Sequence, residues 1–136
     1  MFKFTNVDLF WSNLKETNQL SGKYQVDLCN LTDPQVQRLE EEGIQVRTKN
    51  DDRGYFVTSK SRFPITPFDK NGEEIHAKIA NGSKADVLIN PYDWTQPMTG
   101  KKGRSAGIAK LVITDLKEYH ADGVEEIGDG ADIEVL

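Results

Sequence analysis

The chain of 136 residues has one cysteine, two histidines and no long apolar run, and each shortage removes a class of function. Cys29 stands alone, so it closes no internal disulfide and reads as a small core residue in a reducing compartment. His76 and His120 lie far apart, and neither sits in a metal-ligand spacing. No segment approaches the roughly 20 apolar residues that a membrane-spanning helix needs, so no membrane partner is expected. No charged segment followed by an apolar stretch opens the chain, and a cytoplasmic location is the expectation. Neither GxxxxGK[ST] nor GxGxxG occurs, so no nucleotide cradle and no cofactor are expected.

What is present is an uneven distribution of charge. The net charge is −5, yet residues 121–136 alone carry six acidic residues and no Lys or Arg. They are Asp122, Glu125, Glu126, Asp129, Asp132 and Glu134, and the segment ends in the apolar tip Val135-Leu136. Residues 1–120 are near neutral, with 17 basic against 16 acidic side chains. Residues 44–110 hold 12 Lys/Arg against 7 Asp/Glu. A basic-leaning body with a detached acidic tail suits a binder of polyanions whose tail competes with the ligand or recruits partners. The expected organisation is therefore one domain over residues 1–120 and an acidic tail over 121–136.

The body reads as mostly β. Residues 2–14 form an irregular first strand. Tyr24, Val26 and Leu28 alternate with polar neighbours and face a core. One short helix follows, with Asp33 as N-cap, Pro34 at the first helical position and Gly43 at its end. Residues 44–49 and 55–60 pair as a hairpin around Asn50–Gly54. Residues 63–72, with two prolines, read as an extended linker. Residues 85–89 and 107–116 are the last two strands, separated by a polar Gly/Lys loop over 96–104. Five strands at this spacing with one helix point to a five-stranded Greek-key barrel, the OB-fold.

A catalytic site is hard to assemble from these residues, although scattered carboxylates leave open a metal-dependent nuclease or recombination enzyme. A small virion or adaptor component is a further alternative. Binding chemistry is easier to build. Proteins that hold single-stranded nucleic acid track phosphates with cations and stack bases on aromatic rings. Arg47 and Lys49 point out from one strand of the hairpin. Phe56, Lys60 and Arg62 share a face on the other. Tyr92 and Trp94 share parity near a strand end, and Lys101, Lys102 and Arg104 crowd the loop that follows. Tyr55 and Val57 are expected in the core, and Trp11 as a cap on the barrel.

The order of motifs resembles a known family. Gly22-Lys23-Tyr24-Gln25-Val26-Asp27-Leu28 precedes the helix. Tyr55-Phe56-Val57-Thr58-Ser59-Lys60-Ser61 and Ala80-Asn81-Gly82-Ser83-Lys84-Ala85-Asp86-Val87 follow it. A Gly-rich loop then runs into Gly107-Ile108-Ala109-Lys110-Leu111-Val112-Ile113. This arrangement resembles the single-stranded DNA-binding proteins of tailed bacteriophages, over most of residues 20–118 and the tail. The resemblance implies coating of single-stranded DNA during phage replication, recombination and repair in the cytoplasm of an infected host. It also implies a tail, through Glu125, Glu126, Asp129, Asp132, Glu134 and Leu136, that contacts a replicative polymerase or helicase. The tail departs from the family pattern by ending in Leu136, where an aromatic residue is common. The family includes monomers and dimers, so an oligomeric state does not carry over.

Deleting residues 121–136 should tighten single-stranded DNA binding at low salt. A tethered polyanion competes intramolecularly for the same cations. Screening over about 10 Å at 0.1 M salt should shrink the gain as salt rises. Affinities of the full and truncated chains, measured side by side, check this; unchanged or weaker binding after truncation would leave the tail only a recruiting role.

Overall fold

The computed structural model describes residues 1–19, 22–49 and 51–117. The expected tail contacts at Glu125, Glu126, Asp129, Asp132, Glu134 and Leu136, like His120, lie outside the described residues. The elements in chain order are β1 (Phe2–Asn13), β2 (Tyr24–Cys29), α1 (Asp33–Glu41), β3 (Arg47–Thr48), β4 (Tyr55–Ser61), β5 (Pro67–Phe68), β6 (Ser83–Thr95) and β7 (Lys102–Asp115). They form one seven-stranded sheet in the order β3-β4-β2-β1-β6-β7-β5. The expected count of five strands is thus corrected to seven. Two of the seven, β3 and β5, are only two residues long and carry no alternation to read. The strands at the turn of the sheet, β4 and β7, lie against each other, but no ladder joins them among the described residues, so the sheet is not closed.

The first strand earns its irregularity. Asn6 and Trp11 have φ of 57° and 53°, in the left-handed region that bulky residues avoid. Each coincides with a slip of register, between Phe4 and Val7 against β6 and between Phe10 and Asn13 against β2. Such bulges bend a strand and sharpen its twist. Here they let one 12-residue strand serve two neighbours, β6 along its first part and β2 along its second. Side chains hold the bulges: the Asn6 N–H donates to Asp86 Oδ1 at 3.1 Å, and the Trp11 N–H donates to Asn81 Oδ1 at 2.7 Å.

The helix begins one residue earlier than its sequence suggests. Thr32 is the N-cap, because Gln35 stands three residues on and completes a capping box. The Gln35 N–H donates to Thr32 Oγ1, and Gln35 Oε1 accepts from the Thr32 N–H. Asp33 moves inside the first turn, where its charge suits the helix dipole. At the other end Gly43, at φ 78°, donates to Glu40 O while Ile44 donates to Leu39 O, the paired bonds of a Schellman stop.

The last two strands run well past their expected limits. β6 and β7 pair without interruption from Ile89↔Ile108 out to Thr95↔Lys102, leaving a loop of only residues 96–101. Pro91 does not break β6, because the ladder to β1 has already ended at Ile89. The expected linker contains β5, which pairs in parallel with β7 at Leu111 and Val112.

Odd residues of β6, Ala85, Val87 and Ile89, join Leu9, Val26, Leu28, Leu39 and Leu111 in the core. Val57 is buried as expected, but Tyr55 is 47 % exposed and leaves the core. It borders a surface hollow beside α1, together with Val36, Glu40 and Val46. Leu28 is fully buried at the centre of this packing. Leu28→Ala should destabilise the fold by about 2–5 kcal/mol, and the cap deletion Thr32→Ala by about 1 kcal/mol. Urea midpoints of the two variants check this order; a reversed order would misplace the core.

Candidate nucleic-acid interface

The outer faces of β2 and β4 floor a cleft of about 420 Å³. Its chemistry begins with a carboxylate that an apolar strand would not keep. Asp27, on β2, is only 4 % exposed. Its Oδ1 accepts from Thr58 Oγ1 at 2.6 Å and its Oδ2 accepts from Arg53 Nη1 at 2.9 Å. Arg53 turns its other edge to Asp51, through Nε at 3.0 Å and Nη2 at 2.7 Å. These hydrogen bonds, those to Asp51 foremost, hold the guanidinium charged, and Arg53 in turn draws the Asp51 carboxyl below its usual range. The guanidinium carbon lies 4.3 Å from the centre of the Phe56 ring.

Phe56 is therefore not the open platform that its outward parity suggests. It does face the cleft, but Arg53 covers it and only 2 % of its surface is exposed. The indole that does stand open is Trp11. It was expected to cap the barrel, yet it is 54 % exposed and lines the same cleft. Alternation along β1 could not reveal this, because the bulge at Trp11 breaks that alternation. No local pattern signals the bulge, which is held by the Asn81 side chain from 70 positions away.

Cations ring the cleft. Arg47 pairs opposite Phe56 and lines it, as does Lys49. Lys60 follows on the outer face of β4, and Arg62 lies just past the strand's end, so the expected shared face stops at Lys60. Arg47, Lys60 and Arg62 make no ion pair among the described residues.

The extension of β6 and β7 carries the other two expected rings. Tyr92 and Trp94 share one face of this arm, 38 % and 40 % exposed. Small residues on β7 seat them. A Cβ on Gly103, directly opposite Trp94, would fall 2.3 Å from the indole Cζ2. Tyr92 Oη donates to the Lys60 carbonyl at 3.2 Å and so fastens the arm to the end of β4.

The arm separates residues that sequence spacing groups together. Arg104 pairs across the ladder with Asp93, and Lys102 with Thr95, so both lie on the face away from Trp94. Arg104 is also committed. Nη1 donates to Asp93 Oδ1 at 3.0 Å and Nη2 donates to Glu42 Oε2 at 3.1 Å. Glu42, bonded by Arg38 and Arg104, titrates below its ordinary range. Arg104 thus ties the arm to the end of α1 rather than offering an open charge. Lys101 sits in the short loop and Lys102 opens β7, both exposed.

No group of three or more metal-ligating side chains occurs among the described residues. His76 is exposed, 3.7 Å from Glu74.

No protein-family model and no curated protein matches the chain. Solved structures do match. The single-stranded DNA-binding protein from bacteriophage Enc34 superposes with a TM-score of 0.63 at 11 % identity, over 90 % of this chain and 86 % of that one. The same phage protein in complex with single-stranded DNA gives 0.63 at 12 % identity, over 85 % and 86 %. The gp2.5 single-stranded DNA-binding protein encoded by bacteriophage T7 gives 0.57 at 17 % identity, over 93 % and 96 %. The chain thus shares its fold with phage single-stranded DNA-binding proteins, the class that its motif order resembles.

Gly103→Val should lift the Trp94 indole off its seat, since no β-branched side chain fits there. Trp94 emission, read with Trp11 replaced by Phe, should then shift to the red. An unchanged spectrum would show that position 103 does not seat the ring.

Proposed function

We propose that this chain is a non-enzymatic, largely sequence-independent single-stranded DNA-binding protein, acting in phage DNA replication, recombination and repair. The observation that carries the reading is the cleft itself: an exposed indole, Trp11, shares it with Arg47 and Lys49. Flexible single strands expose both the phosphates and the base faces that such a cleft needs. The same fold in a phage protein solved with single-stranded DNA supports the assignment.

In this reading the sheet is an open variant of the OB-fold barrel, with β3 and β5 added to five long strands. Residues 1–120 form the binding domain, and residues 121–136 are the acidic tail that competes with DNA and recruits a polymerase, helicase or other replication protein. The site of action is the cytoplasm of the infected bacterium. Phosphates meet Arg47, Lys49, Lys60 and Arg62, with Lys101 and Lys102 along the arm. Bases stack on Trp11, Tyr92 and Trp94. Phe56 and Arg104 take supporting places, the first beneath Arg53 and the second in the tether to α1.

Fluorescence anisotropy with single-stranded, duplex and RNA oligonucleotides tests this reading. Single strands should bind tightest, with a slope of log affinity against log salt of roughly −3 for about four phosphates. Trp11→Ala and Trp94→Ala should each weaken binding by about 1–3 kcal/mol with the fold intact. The strand should stay uncut in magnesium or manganese. Equal or tighter binding to duplex DNA would defeat the proposal.

A further inference from the structure

We infer that Arg53 is a base-stacking platform, its guanidinium plane resting on Phe56 and offering its other face to a nucleobase in the cleft. This rests on the single-stranded DNA reading above and assigns a specific role within it.

Three observations converge on Arg53. Its edge is occupied: Asp51 and Asp27 accept from three of its five N–H donors, which fixes the plane and leaves little for a phosphate. One face is occupied too, by the Phe56 ring at 4.3 Å. Yet the side chain keeps 13 % of its surface exposed and lines the cleft. A planar cation clamped along its edge and backed by a ring behaves as an extra aromatic surface, and guanidinium planes do stack on bases.

The surroundings fit a base in this position. Trp11 stands exposed in the same cleft. Ser12, next to it, is 7 % exposed, and its Oγ has no hydrogen-bond partner among the described residues although it lines the cleft. A buried hydroxyl without a protein partner is costly unless water or a ligand completes it, and here it is placed to serve a base edge. Bases offer donors and acceptors at their edges, whereas the faces that stack on Arg53 are common to all of them. Arg47 and Lys49 remain for the phosphates flanking that base.

A purely structural ion pair would need only a positive charge beside Asp27, which lysine supplies. Stacking needs the plane, which lysine lacks. Arg53→Lys should therefore weaken binding to oligothymidylate about tenfold. Its effect on an abasic strand of the same length should stay within about twofold, and the salt slope should be unchanged. Equal losses on both strands with a shallower salt slope would make Arg53 a phosphate ligand and overturn the inference. No loss on either strand, in a folded variant, would make it structural only and overturn it as well.

The wild-type chain supplies a second measurement should Arg53→Lys not fold. The Arg53 Nε–H, protected from exchange by its bond to Asp51, should move upfield in proton–nitrogen-15 correlation spectra when oligodeoxyadenylate binds, through the ring current of the stacked purine. It should not move upfield with the abasic strand. Binding without that upfield shift would refute the platform and leave the parent reading standing. Failure of the wild-type chain to bind single-stranded DNA at all would overturn both.

Discussion

A carboxylate in the middle of β2 governs how the site is put together. Asp27 sits where its apolar neighbours Val26 and Leu28 bury the strand, and it is itself almost completely buried. An unpaired charge there would cost several kcal/mol, about 3–5 when one partner of a buried pair is removed. Arg53 must therefore come down onto it, and Thr58 must turn toward it. That demand folds the 51–54 segment against β4, draws in Asp51 and covers Phe56. One buried charge thus decides what the cleft floor presents.

Much of the fold was legible in the sequence because period-two alternation marks half-buried strands, as it does for Val26 and Leu28 or for Ala85, Val87 and Ile89. The two-residue strands were not, since Arg47-Thr48 and Pro67-Phe68 are too short to carry any period. The run of β6 past residue 89 was not legible either: it continues through Pro91, where β1 no longer flanks the strand and the missing N–H costs no ladder bond to it.

The site was legible as a composition and less so as a geometry. Arg47, Lys49, Tyr92 and Trp94 stand exposed, as outward parity suggested. Phe56 has the right parity but is covered by a residue from the preceding loop, and no local pattern announces a long-range lid of that kind. Arg104 belongs to the same basic run as Lys101 and Lys102, yet Asp93 and Glu42 claim it. Trp11 was misjudged for the opposite reason. A bulge moves it out of the alternation that would have buried it, and a left-handed φ on a bulky residue is affordable only because Asn81 secures the backbone.

The sheet's two outermost strands have a bearing on how closely copies of the chain can crowd without joining. An exposed sheet edge is a template onto which another molecule's strand can add, the first step toward aggregation. Here both terminal strands, β3 and β5, are two residues long. One carries the charge of Arg47 and the other contains Pro67, which has no N–H to offer. The longer flanks of β4 and β7 face each other, and Tyr92 of β6 fastens the arm to β4 at the Lys60 carbonyl. Copies crowded together meet at concentrations far above those of a dilute solution. A chain with blunted edges can tolerate that crowding and still let go of its neighbours.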